Sequence, residues 1–211
     1  MRWPSWGCSS RKETAVAGAE LAAPIALLVG GHAALAACAV LYLAWWRLFF
    51  NPRRDKPRGS QFAAGVGCIV GAAVLGIAGV ALCVVGMTGL LPVEIRGAAL
   101  GGMAGCGLAL YVVLLMGTVK LFKRPVTTEL LLFTAWAVLE LGVLNVAFAT
   151  SMLAAPTAIV LGVLVAAVLL ASLASYLLYY RLEPQRAYVA GAVPLAAVGV
   201  LAAAMAVALV L

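Results

Sequence analysis

The chain has 211 residues, 66% of them hydrophobic and only 10% charged, and a net charge of +7. A water-soluble fold of this length leaves part of its surface wet and cannot hide so much apolar area, so a soluble domain is excluded and the lipid bilayer is the expected surrounding. The 14 lysines and arginines cluster at the ends of apolar runs, as membrane-topology signals do; they form no basic face, so no nucleic-acid partner is expected.

About twenty apolar residues cross a bilayer as a helix. After a short polar tail, residues 1–19, the remainder, residues 20–211, reads as one transmembrane helical domain. The first span, about residues 21–46, holds a single ionisable residue, His32. The run after Arg11 and Lys12 resembles a signal segment, and Leu35-Ala36-Ala37-Cys38 resembles a lipoprotein processing box. The run nevertheless stays apolar past Cys38 to Trp45 and Trp46, so a retained span is the expectation. The second and third spans cover 62–88 and 97–119. The stretch from Leu130 to Tyr180 carries one charge, Glu140, and is too long for one crossing. A turn is expected around Ser151 to Thr157, where Pro156 suits the first turn of a new helix. The fourth, fifth and sixth spans are then about 128–153, 156–180 and 187–211. The runs are continuous, not alternating, which favours helices over barrel strands. The fold class is therefore an all-α polytopic membrane bundle of six transmembrane helices, also readable as three two-helix hairpins.

Lysines and arginines set the expected orientation. The first, third and fifth loops with their flanks hold ten, against four for the N-terminal tail and the other loops. The odd loops are expected in the cytoplasm and both termini outside, although the positive tail argues the other way. Three cytoplasmic helix ends resemble one another: Trp46-Arg47-Leu48, Lys120-Leu121 and Tyr180-Arg181-Leu182, each followed by a proline (Pro52, Pro125, Pro184). One reading is a triplicated hairpin with the odd helices in equivalent places. The other is convergence, since any such end favours aromatic and basic anchors and a turn proline.

Gly97, Gly101 and Gly105 recur every four residues on the third helix, and Gly67 and Gly71 repeat the spacing on the second. Such grooves let two backbones approach closely. Packing of these two consecutive helices on each other is expected, with homo-oligomerisation or another membrane subunit as the alternative.

Polar residues at depth are few. A charge at the bilayer centre costs at least ~2.5–3.5 kcal/mol, so such residues face the protein interior and are functional candidates. Glu140 lies in the middle of its span, where its carboxyl should be protonated or paired. Eleven residues make about three full turns, which puts Glu129, Glu140 and Ser151 on one stripe together with Trp136 and Ala147. Asn145 sits about 140° round from Glu140. His32, the only histidine, lies at similar depth, and a His32–Glu140 contact able to relay protons is geometrically open. The bland alternative is a pair of residues serving only helix packing.

Cys8, Cys38, Cys68, Cys83 and Cys106 form no disulfide framework and no zinc spacing, and those within apolar runs are read as small hydrophobes. With one histidine there is no H-E-x-x-H and no haem or iron cluster, and no G-x-S-x-G or phosphate loop occurs. No metal, no cofactor and no catalytic residue are expected. The leading expectation is a small-solute or proton-linked transporter or channel component, ahead of a non-catalytic membrane subunit or assembly protein, with an intramembrane enzyme last.

Overall fold

A computed structural model describes residues 9–121, 123 and 128–211; side chains are described from Leu21 onward, except at residues 121, 128, 129 and 180. Within them the apolar runs form six helices and no strand: α1 (Ser9–Phe49), α2 (Ser60–Leu90), α3 (Val93–Met116), α4 (Thr128–Ala149), α5 (Ala155–Leu178) and α6 (Pro184–Ala208). All six are long and apolar enough to cross a membrane, as expected where only intra-helical hydrogen bonding can satisfy the backbone. The first helix starts before its apolar run, at Ser9. Pro156 and Pro184 stand in the first turns of α5 and α6. Pro52 stands in the turn before α2, and Pro125 lies outside the described residues. A π-helical segment, Gly117–Leu121, continues α3.

Helix α1 packs on α2, α3 on α4, α4 on α5 and α5 on α6, and further contacts join α1 to α6 and α2 to α4; α2 and α3 are not among the close-packed pairs. The hairpins are not equivalent. Helix α4 buries 56% of its central window and α3 none of its own, so α4 is the inner helix and α3 the outermost.

The closest approach is between α1 and α2. Residues Gly65, Ala72, Gly79 and Gly86 are buried along one face of α2 at seven-residue spacing, with Cys83 between the last two. A Cβ at Gly31 would stand 2.5 Å from the Cys83 sulfur and 2.9 Å from the Gly79 carbonyl. A Cβ at Gly86 would stand 2.8 Å from the Pro24 carbonyl. Small residues therefore hold this hairpin by letting its backbones touch.

This corrects the expected glycine contact. Nothing lies within 4 Å of a Cβ built at Gly67, Gly97, Gly101 or Gly105, and Gly71 faces Leu41 of α1. The small face of α2 is occupied by α1, and α3 leans on α4 with its opposite side, through Met103 and Gly107 against Gly142 and Val138. The Gly97, Gly101 and Gly105 face points away from the bundle.

The buried threonine and serine hydroxyls bond to their own helices. Thr134 donates to the Leu130 carbonyl at 2.8 Å, Thr118 to Leu114 at 2.8 Å, and Ser172 to Val168 at 2.8 Å. Such bonds satisfy a polar group in an apolar surrounding without joining helices.

Candidate functional site

Two seven-residue seams meet at the centre of the bundle. On α1 the seam is Leu28, His32, Leu35, Ala39, Tyr42 and Trp46; on α4 it is Leu130, Phe133, Ala137, Glu140, Leu144 and Ala147. Steps of three and four keep a side chain on one helical face. The backbones of α1 and α4 are not among the close-packed pairs, so long side chains bridge the gap. At 1.5 Å per residue Glu140 stands about 15 Å along its span, near the middle of the Leu130–Ala149 stretch.

His32 Nε2 lies 3.0 Å from Glu140 Oε2, and both side chains are 0% exposed. The other carboxylate oxygen, Oε1, accepts from the indole N–H of Trp136 at 2.9 Å, one turn earlier on the same helix. On the far side of the imidazole, Nδ1 lies 2.7 Å from the Leu28 carbonyl. A carbonyl only accepts, so Nδ1 carries a hydrogen and donates it. The Cys83 sulfur, 3.7 Å from Nδ1, is a weak second contact to the same N–H.

The tautomer follows. With Nδ1 holding its own hydrogen, the line from Nε2 to Oε2 holds one further proton. On nitrogen it makes an imidazolium facing a carboxylate; on oxygen, an imidazole facing a carboxylic acid. Both states are neutral overall, and a neutral unit is what an interior without water tolerates. Gain or loss of one proton leaves the unit with a net charge at mid-depth.

Cys83, His32 and Glu140 copy the order of a nucleophile, base and orienting acid. The hydrogen on Nδ1 prevents it from taking the thiol proton, and Cys83 is 0% exposed. Among the described residues no group of three His, Cys, Asp or Glu side chains is placed to hold a metal ion.

The other expected site residues fall elsewhere. Asn145 is exposed on the outside of α4. Ser151 is not on the helical stripe, because α4 ends at Ala149. It is exposed, with φ 59°, in a helix-ending turn in which its N–H donates to Phe148 and that of Met152 to Ala147. The Glu129 side chain lies outside the described residues. Sequence reading treated Cys83 as a hydrophobe and gave Trp136 no partner; the four-residue step from Trp136 to Glu140 was the available signal for the latter.

A cavity of about 230 Å³ lies nearer the end of the bundle that carries the odd loops, between α1, α4, α5 and α6. Its aromatic lining includes Tyr42, Trp46, Phe50, Phe133, Tyr176 and Tyr179, and no charged residue is among the described residues that line it. Phe133 is seven residues, about 10 Å, from Glu140 on the same face of α4. Along the two seams, buried Leu35 and Ala39 on α1 and Ala137 on α4 come between the pair and the residues that line the cavity.

No family model matches the chain, and neither curated proteins nor solved structures give a match.

Proposed function

We propose that this multi-pass membrane protein is a proton-linked small-solute transporter, or the transporting component of one, with His32 and Glu140 as its proton-handling pair. The supporting observation is the 3.0 Å Nε2···Oε2 contact at mid-depth, where one proton has two neighbouring seats. Locking α1 to α4 would need only a hydrogen bond. Ionisable residues at this depth mark proton relays and ion paths. The pair is closed off from outside, which fits an occluded state between two open ones.

The test is proton flux in proteoliposomes enclosing a pH-sensitive dye, with mixed small-solute pools added outside. Solute-dependent proton movement that vanishes in Glu140→Gln supports the proposal. Equal flux in the wild-type and variant proteins removes its basis.

A second reading, a non-catalytic membrane subunit, is favoured by one observation. Helix α3 turns the Gly97, Gly101 and Gly105 face outward with nothing against it, the surface by which transmembrane helices associate. Co-purification of a stoichiometric membrane partner in mild detergent, lost in Gly101→Leu, would favour this reading over an independent carrier.

A further inference from the structure

The lining of the cavity between α1, α4, α5 and α6 and the chain just beyond it differ in character. The described lining holds six aromatic residues, with Ser172 and Ser175 among them, and no formal charge. One wall is rigid: Trp46 donates its indole N–H to the Tyr188 carbonyl at 3.1 Å and stacks on Phe50 at 4.4 Å. Gly191 makes room for that indole, since a Cβ there would stand 2.5 Å from it. Fixed aromatic rings around an apolar space describe a site for a flat or chain-like apolar group.

The same end of the bundle is basic. Arg47 follows Trp46 directly, and Arg181 follows the lining residue Tyr179 by two positions. Both arginines are exposed. Arg186 is paired with Glu183 at 3.8 Å, whereas no ion pair is found for Arg47 or Arg181 among the described residues. Two exposed arginines, one and two positions along the chain from the lining residues Trp46 and Tyr179, disfavour an organic cation and favour an acid at this end of the bundle.

We infer that this cavity binds an amphiphilic anion, its acyl or aromatic body among the rings and its carboxylate or phosphate at Arg47 and Arg181. The inference deepens the transport reading by naming a substrate class, and it rests on that reading for the step from binding to movement. A carried acid and a proton together cross with less net charge, which gives the proton-handling pair two turns deeper a reason to lie on the same faces of α1 and α4. The anion has two sources, a membrane phospholipid or a free organic acid.

The test uses dansyl-undecanoate, a fluorescent acyl carboxylate, titrated onto the full-length protein in maltoside micelles, with its methyl ester as the uncharged control. Binding of the acid at least tenfold tighter than the ester is expected. The Arg47→Gln/Arg181→Gln double variant should lose that preference, and Ser175→Phe, which fills the cavity, should abolish binding. Glu140→Gln should bind within twofold of the wild type, so failed transport and failed binding are distinguishable. In native mass spectrometry, retained phospholipid that is lost in Ser175→Phe assigns the occupant to the membrane; no retained lipid with intact dansyl-acid binding assigns it to a free acid. Equal affinity of wild-type protein for acid and ester, a comparison needing no variant, overturns the inference.

Discussion

His32 and Glu140 stand 108 positions apart in sequence and 3.0 Å apart in space, each completely buried. Their contact joins two helices whose backbones do not pack closely. The arrangement can be dissected by separating charge from hydrogen bonding.

Glu140→Gln keeps the shape and both roles: its carbonyl accepts from Trp136 and its amide donates to a neutral imidazole. We expect a change in stability below about 1 kcal/mol, in line with interhelical bonds in membranes. Glu140→Ala leaves the Trp136 N–H and His32 Nε2 unpaired beside a void and should cost about 3 kcal/mol. Thermal unfolding in detergent checks the order; equal losses for the two variants would remove the hydrogen-bond account.

The glycines should divide into two groups. Gly31→Val meets Cys83 and the Gly79 backbone, neither of which can withdraw, and should cost at least about 3 kcal/mol or prevent folding. Gly101→Val meets nothing within the chain and should leave the monomer unchanged. Unfolding midpoints of the purified monomers make the comparison, and a strong effect at Gly101 would contradict the outward placement of its face.

Ser151 holds φ 59° at the end of α4, a conformation that costs a residue with a Cβ about 1 kcal/mol. Its side chain is exposed, so Ser151→Gly should stabilise the protein by about 0.5–1 kcal/mol. A lower unfolding midpoint in that variant would refute this turn geometry.

Single cysteines placed at Asp55, Lys123 and Glu183 in a cysteine-free background should react with an impermeant maleimide from one side of the membrane, and those at Glu94 and Ser151 from the other. The basic loops favour the cytoplasm for the first group. Labelling of Asp55 and Glu183 from opposite sides would break the three-hairpin arrangement.

The six helices were legible because the bilayer imposes one rule on every residue of a span, and Leu, Val and Ala runs obey it without regard to neighbours. Glu140 and His32 stood out for the same reason, as departures from that rule. Their contact was open on grounds of depth alone, because lateral position depends on which helix faces which. The glycines show the limit most clearly. A four-residue spacing announces a flat face but not its occupant, so Gly97, Gly101 and Gly105 were assigned to α2, whose small face meets α1 instead. The seam that does the packing, Gly65, Ala72, Gly79 and Gly86, was written at seven-residue spacing in plain view. The polar stripe reaches Ser151 only if α4 runs to about residue 153, past its actual end at Ala149.

The most direct measurement is infrared difference spectroscopy of the purified protein during a pH titration, with Glu140→Gln as the reference. If the pair handles protons, we expect a carboxylic-acid band that grows on acidification in the wild-type protein and is missing from the variant. A wild-type spectrum indistinguishable from that of Glu140→Gln, throughout the pH range in which both stay folded, would show that His32 and Glu140 hold the bundle together without exchanging a proton.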